Sequence, residues 1–368
     1  MHSFLLTCPL GLEALAKKEV QKQGYTLREV QDKAVYFTWE IDALARMNLW
    51  SRFANILYYI AWEYSDITDF DSYFEAVSSI NWLEYIPRDY EIVVKATSIK
   101  SQLWATSSLQ WLAKKAIVQS LVWDAILREN PTLGTIEIRI LMENNTLRVM
   151  LNSSWVWLHK RGYREMTWDA PLKENIAAAL VILSQWRFRE PLYDIFCGSG
   201  TIGIEAAMIA RNIAPWLKRN FACESWTWLP EWLFEAEKTR ARASEYSWEY
   251  RIYCSDIRRD IIELAKRNAK FAGVDDSLNF WVQDYMTYMR RELQGWLVSN
   301  PPYGLRLEDA DVPCMHRDIA KLLEVNSQLQ GGIITAHAEF ESYSKTKYKR
   351  RKLYNWGEQV YFYKKEQN

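Results

Sequence analysis

Cysteine, histidine and net charge are all in short supply here, and each shortage closes off a class of protein. The 368 residues include five cysteines and four histidines. Cys8, Cys197, Cys223, Cys254 and Cys314 form an odd, scattered set with no CxxC spacing. That argues against a disulfide framework and against zinc or another metal, and it fits a reducing cytoplasm. Lys+Arg and Asp+Glu balance at 46 each, so no overall basic field announces a polyanion partner and any such contact must come from local patches. No apolar run approaches the roughly 18 residues of a membrane span. The N-terminus is apolar only from Phe4 to Leu6 and lacks a basic start, so it does not read as a secretory signal. What remains is a cytoplasmic, non-membrane chain long enough for two or three domains, each burying its own core.

Glycine is the other shortage. There are 13 glycines and 19 tryptophans, whereas ordinary usage of about 7% would give about 26 glycines. Several tryptophans stand where a turn wants glycine. Trp155 and Trp157 follow Asn152-Ser153-Ser154, Trp168 precedes Asp169-Ala170-Pro171, and Trp216 follows Ala214-Pro215. Trp356 follows Asn355, where Asn-Gly is the favoured hairpin turn. UGA codons decoded as glycine by the source organism but translated here as tryptophan would give this pattern; a tryptophan-rich protein is the alternative.

Hydrophobic periodicity divides the chain into three stretches. Residues 1–60 read as a small α/β unit, with a helix over Leu12–Val20, a strand over Ala34–Phe37 and a helix over Ile41–Tyr58. Residues 61–160 read as a helix at Tyr73–Val77, a strand at Glu91–Ala96, a long helix at Leu109–Arg128, and strands at Thr135–Met142 and Thr146–Leu151. From about 165 to 368 strand and helix alternate, which predicts a largely parallel sheet with helices on both faces. Its strands are expected at Leu192–Phe196, Asn220–Glu224, Arg251–Ser255, Leu278–Val282, Leu297–Ser299, Gly331–Ala336 and Val360–Tyr363. A basic segment, Lys345–Lys352, joins the last two.

Open α/β sheets bind ligands at the carboxyl ends of their strands, and the sequence concentrates chemistry there. Gly198-Ser199-Gly200-Thr201-Ile202-Gly203 follows the first strand; it is a tight turn whose backbone can approach a nucleotide-like ligand at a helix N-terminus. Taken alone, this GxGxxG pattern fits a dinucleotide equally well. Acids recur at strand ends: Asp194, Glu224, Asp256 and Asp284. Such carboxylates can accept ribose hydroxyls, an ammonium or an adenine amino group. The fifth strand runs into Asn300-Pro301-Pro302-Tyr303. The Asn300 amide oxygen and the Pro301 carbonyl offer two acceptors to an exocyclic amine, prolines stiffen the turn, and Tyr303 offers a face on which a base can stack. Accepting both amine hydrogens favours a pyramidal nitrogen with a free lone pair, so that in-line attack on a sulfonium methyl needs chiefly positioning. Lys114 and Lys115 on the long helix, Lys160, Arg161 and Arg164 at the join between halves, and Lys349, Arg350 and Arg351 near the C-terminus are the candidate phosphate contacts. A solvated surface would explain these cations equally well.

With Asp194-x-Phe196-x-Gly198-x-Gly200-Thr201 and Asn300 to Tyr303, the chain resembles the class I S-adenosyl-L-methionine-dependent N-methyltransferases. More narrowly it resembles the THUMP-domain RNA guanine-N2 methyltransferases that include the 23S rRNA enzymes. Thr7-Cys-Pro-Leu-Gly-Leu-Glu13, Asn48-Leu-Trp50, Leu158-His-Lys-Arg-Gly-Tyr-Arg164 and Ala170-Pro-Leu-Lys-Glu174 carry that likeness over nearly the full length. The resemblance implies a ferredoxin-like domain at 1–60, a THUMP RNA-binding domain at 61–160, and a Rossmann-like seven-stranded methyltransferase domain at 165–368 whose last strand is antiparallel. It implies a cofactor site of Asp194, Phe196, Gly198, Gly200, Thr201, Glu224, Asp256, Asp284 and Lys173, with Asn300 to Tyr303 holding the base. The implied substrate is guanine N2 in 23S rRNA, with tRNA as the alternative and a non-catalytic RNA-binding protein as the rival. An NAD oxidoreductase would leave the Asn-Pro-Pro-Tyr turn unexplained. A cytosine-C5 enzyme would need Cys314 as nucleophile, and Pro313-Cys314 reads instead as a helix start.

Overall fold

The computed structural model describes residues 1–87, 89–121, 129–164, 172–302 and 311–366. The chain forms two compact units. One comprises Met1–Cys8, Ala16–Leu158 and Trp216–Arg240; the other comprises Pro9–Leu15, His159–Pro215 and Ala241–Asn368. No described helix is long and apolar enough to cross a membrane.

The first unit is built on one seven-stranded sheet. Its strands are β1 (His2–Thr7), β2 (Thr26–Gln31), β3 (Ala34–Trp39), β4 (Ile56–Tyr64), β5 (Glu91–Ile99), β6 (Thr135–Glu143) and β7 (Thr146–Asn152). They lie in the order β2-β3-β1-β4-β7-β6-β5. Its helices are α1 (Glu13–Lys22), α2 (Ala43–Trp50), α3 (Phe70–Ser78), α4 (Trp82–Tyr85) and α5 (Thr106–Leu121). Asp69 starts α3 by accepting from the backbone N–H groups of Asp71 and Ser72, which satisfies two otherwise orphaned donors. Leu109, Ala113, Ala116, Ile117 and Leu121 of α5 are buried at helical spacing, and α5 forms the crossover that parallel β5 and β6 require. The expected helix over Ile41–Tyr58 stops at Trp50; the β-branched and aromatic run that follows becomes β4, a central strand between β1 and β7. Residues 122–128 of the expected long helix lie outside the described residues.

The second unit opens with α6 (Glu174–Ser184), β8 (Leu192–Asp194) and α7 (Thr201–Ala210). The stretch Trp216–Arg240 then belongs to the first unit and holds most of α8 (Trp232–Ala243). Beyond it come β9 (Ile252–Asp256), α9 (Arg259–Ala272), β10 (Leu278–Val282), β11 (Gly295–Ser299), α10 (Asp311–Val325), β12 (Leu329–Thr335), β13 (Tyr348–Asn355) and β14 (Glu358–Lys365). The sheet order is β10-β9-β8-β11-β12-β14-β13. The first five strands are parallel, and β14 runs antiparallel to β12. Its core gathers Ile195, Leu297, Ile319, Leu323, Ile333 and Tyr363.

Two expectations are corrected here. Asn220–Glu224 is not a strand: Ala222–Ser225 is a 3-10 turn closed by Glu224, whose carboxylate accepts from Phe221 N at 2.8 Å. The basic segment is not a connection: most of it is β13, hydrogen-bonded to β14 along eight residue pairs. Its charges suit an edge strand, where lysine and arginine discourage pairing with another chain.

Candidate functional site

Parallel strands bring their ends to one edge of the second sheet, and with them the chemistry. Asp194 closes β8, Asp256 closes β9, Asp284 follows β10 by two residues, and Asn300 follows β11 directly. β8 and β11 are neighbours, whereas the chain leaves β8 for β9 on its other side. This reversal of strand order is where open α/β sheets open a ligand crevice.

Asp194 is 1% exposed and Ser299 is fully buried. The Ser299 hydroxyl donates to Asp194 Oδ1 at 2.5 Å and accepts from Phe196 N at 3.0 Å. Burial pushes the Asp194 carboxyl up to about 7, opposed by the hydrogen bonds from Ser299 and Phe196 N and reinforced by the nearby charge of Asp256. Its second oxygen, Oδ2, is buried with no hydrogen-bond partner among the described residues, and so is Asn300 Oδ1. Two unsatisfied acceptors at the ends of adjacent strands are costly unless a donor meets them.

The glycine turn is held from both sides. Gly198 and Gly200 adopt φ of 51° and 84°, a left-handed path that glycine takes without strain. Gly198 N donates to Asp256 Oδ2 at 3.1 Å, and the Asn268 amide donates to Ser199 O at 3.0 Å. Gly203 lets α7 lie against the sheet, since a Cβ there would stand 2.3 Å from Cys254 Sγ. The segment 159–164 packs behind this helix. Arg161 pairs with Glu205 at 3.2 Å, both side chains fully buried, and Tyr163 donates its hydroxyl to the same carboxylate. The Arg164 guanidinium donates to Thr201 Oγ1 and Leu172 O and pairs with Glu174 at 3.5 Å. Burial and the surrounding cations hold the His159 imidazole down at about 3, so the ring is neutral.

The remaining sequence-derived residues divide clearly. Phe196 packs on Tyr285 with centroids 5.1 Å apart, and Asp284 caps the next 3-10 turn through Met286 N. Lys173 N donates to Asn355 Oδ1, and its ammonium lies 4.6 Å over the Trp356 ring. Glu224 belongs to the first unit, where Lys238 pairs with it at 2.9 Å. Pro301 is buried and Pro302 half-buried; Tyr303 lies outside the described residues. Among the basic candidates Lys160, Lys115, Lys349 and Arg350 are exposed. Arg161 and Arg164 are taken up by the buried pairs, and Arg351 donates to Gly11 O. Lys114 pairs with Glu129, whereas Lys115 lies 5.2 Å from the Trp111 ring centre. Both lysines line an open groove of about 650 Å³ between β5 and α5, with Glu91, Val93, Gln110 and Trp111. Ser299 and Glu205 escaped the sequence reading. Glu205 had a signal, an acid inside the apolar run Thr201–Ala210; Ser299 had none beyond its place before Asn300.

The family model described as RMKL-like, methyltransferase domain, matches residues 161–359, more than half of the chain. The chain belongs to this methyltransferase family. A second model, the RlmL ferredoxin-like domain, matches residues 3–55. Within the family's reach, a Bacillus subtilis (strain 168) protein named as an RNA methyltransferase, YpsC, is 36% identical over 96% of this chain and 93% of its own. The ribosomal RNA large subunit methyltransferase K/L of Shewanella baltica (strain OS155 / ATCC BAA-1091) is 33% identical over 83% of this chain. The match spans 44% of that relative, less than half its length. The crystal structure of SMU.472, a methyltransferase complexed with SAH, superposes with a TM-score of 0.89 at 33% identity, covering 99% of this chain and 97% of its own.

Proposed function

We propose that this chain transfers a methyl group from S-adenosyl-L-methionine to the exocyclic N2 of a guanine in large-subunit ribosomal RNA. The observation that carries the reading is the pair of unsatisfied buried acceptors, Asp194 Oδ2 and Asn300 Oδ1, at the strand-order reversal. When bound, the cofactor supplies an electrophilic methyl on a positively charged sulfur. The residues that would hold it are Asp194, Phe196, the turn Gly198–Thr201, Asp256, Asp284 and Lys173. Asp194 suits an ammonium donor, because its free oxygen is buried and a cation favours the carboxylate. Asp256, at the end of β9 and against the glycine turn, takes the ribose-acceptor role, since Glu224 closes no strand of this sheet.

Asn300 Oδ1 and the Pro301 carbonyl accept the two hydrogens of the amine, which frees its lone pair and aims it; Tyr303 supplies a stacking face. The base reaches such a turn only when extruded from its stack. Lys115 with Trp111 in the first unit, and Lys160, Lys349 and Arg350 in the second, offer phosphate and stacking contacts. The name of the K/L relative favours ribosomal RNA as acceptor, and a cytoplasmic setting belongs to the same proposal. The division into a ferredoxin-like domain at 1–60, a THUMP domain at 61–160 and a catalytic domain at 165–368 is part of the same proposal.

The test is methylation of protein-free ribosomal RNA and of tRNA with labelled cofactor, followed by nucleoside mass spectrometry. N2-methylguanosine in ribosomal RNA is expected. N6-methyladenosine would overturn the base assignment, methylated tRNA alone would overturn the substrate, and RNA binding without transfer would favour a non-catalytic role. Asn300→Ala should lower kcat by about 100-fold or more while cofactor Kd stays within a few-fold. An equal collapse of binding would make Asn300 structural.

A further inference from the structure

We propose that Ser299 is a positioning residue that ties the acid of the cofactor site, Asp194, to the turn that holds the base. This rests on the cofactor reading given above. A serine hydroxyl has one proton to donate and two lone pairs with which to accept. Phe196 N–H already fills one acceptor position at 3.0 Å, so the proton goes to Asp194 Oδ1 at 2.5 Å. Ser299 is fully buried, and water does not compete for that bond. The next peptide carries Asn300. One side chain therefore joins the end of β8, the first residues of the glycine turn and the start of the Asn-Pro-Pro turn. A cation that keeps Asp194 ionised keeps it an acceptor for the Ser299 proton, and that bond fixes the backbone from which Asn300 projects.

The bond also bears on how Asp194 titrates. The titratable groups that interact with it are Asp256 and the buried thiols Cys197 and Cys254. Loss of the hydroxyl removes a donor that favours the carboxylate. In the full-length protein, Ser299→Ala is expected to move the pH midpoint of cofactor affinity upward and to lower kcat at least tenfold, with Kd at high pH within twofold of the wild type. Ser299→Thr, which keeps the hydroxyl, is expected to retain the wild-type midpoint. In an Asp194→Asn background Ser299→Ala should add less than a twofold change. Unchanged midpoint and kcat in Ser299→Ala overturn the positioning role, as does a full additive loss in the double variant. If the wild type binds no cofactor at any pH, the cofactor reading falls first, so the two failures are distinguishable.

A separate observation concerns the tryptophans. Trp155 and Trp356 have φ of 65° and 53°, in the left-handed region that a bulky side chain enters at a cost. Their side chains are 44% and 50% exposed, so little burial offsets it. Trp356 and Gly357 (φ 90°) form the two-residue turn between paired Asn355 and Glu358. Two positive φ values in such a turn make it type I′, whose first position favours Asn, Asp or Gly; the turn lies one residue beyond the Asn355-Trp356 pair expected from the sequence. Trp216, by contrast, is buried outside the left-handed region, and Trp168 lies outside the described residues; neither adds to the argument.

We infer that residues 155 and 356 are glycine in the protein as its own cells make it, specified by UGA. With glycine at 356 the ring beneath the Lys173 ammonium is gone, and that ammonium is released from the cation–π contact. The coding DNA and the peptide masses of protein from the native source decide it: UGA codons and peptides lighter by a tryptophan-for-glycine difference are expected, and UGG codons overturn it. In recombinant protein, Trp155→Gly and Trp356→Gly should each raise Tm. Trp50→Gly should lower it, since the Trp50 indole donates to Glu237 at 2.7 Å. A fall in Tm for both of the first two variants also overturns the inference.

Discussion

Glu205 sits inside the apolar helix α7 with Arg161 as its cation, and neither side chain reaches solvent. A buried pair of this kind is expensive to break, because the surviving charge is left without compensation. Glu205→Gln should therefore cost about 3–5 kcal/mol in urea unfolding, and a cost below about 1 kcal/mol would show that water reaches the site. Replacing both partners with apolar residues should recover much of the loss. Asp194 makes a pH prediction. Its carboxyl is raised to about 7 in the folded protein, so its protonated form contributes stability that is fully present below the ordinary carboxylate range and is lost as pH rises through about 7. The cofactor-free protein should lose Tm between about pH 4 and pH 7, and Asp194→Asn should flatten that slope. A cationic ligand works in the opposite sense, so cofactor affinity should rise over the same interval. At this scale the sequence was legible wherever a residue type announces one job. Asp194, Gly198, Gly200, Asp256 and Asn300 all stand at the sheet edge expected of them. Arg161 and Arg164 misled because a run of cations reads as a surface; their carboxylate partners, Glu205 and Glu174, lie 44 and 10 residues further along.

Among the elements, α7 and β9 approach closely only because Gly203 has no side chain. Gly203→Ala should destabilise by about 1–3 kcal/mol, as overpacking does, and Cys254→Ala should relieve most of it, a coupling that a double-mutant cycle reads directly. The groove between β5 and α5 makes a different prediction. Lys115→Ala should weaken RNA binding and reduce the slope of log affinity against log salt by roughly 0.7–0.9, one phosphate contact, whereas Trp111→Ala should weaken binding with little change in slope. A plain run of strand-forming residues was legible: β10 spans Leu278–Val282, as expected from its apolar and aromatic composition. β13 was hidden by its cations, since an edge strand needs only one partner and carries its charge outward. Phe221–Glu224 looked like a strand because it is apolar, but its backbone bonds to Ser153 O through Cys223 N and to its own Glu224, and it joins no ladder.

For the whole molecule the decisive feature is that the first unit is discontinuous. Trp216, Phe221, Cys223, Trp226 and Phe234 are buried in a stretch that belongs to it yet follows β8 and α7 of the second unit. A fragment ending at residue 158 should therefore melt at a lower temperature than the same fragment with 216–240 joined by a flexible linker; equal melting temperatures would show that the stretch adds no stability. Reading along the chain could not anticipate this, because periodicity reports local faces and not which sheet will receive them. The arrangement also imposes a schedule on synthesis. A ribosome adds about 5–20 residues per second, so the last piece of the N-terminal core leaves it on the order of several seconds after the sheet that needs it, and after the glycine turn has already been made. Until then the unit has all seven strands of its sheet but lacks the buried side chains of 216–240, so this protein's dependence on chaperones should be set by the pace of translation between residues 158 and 240.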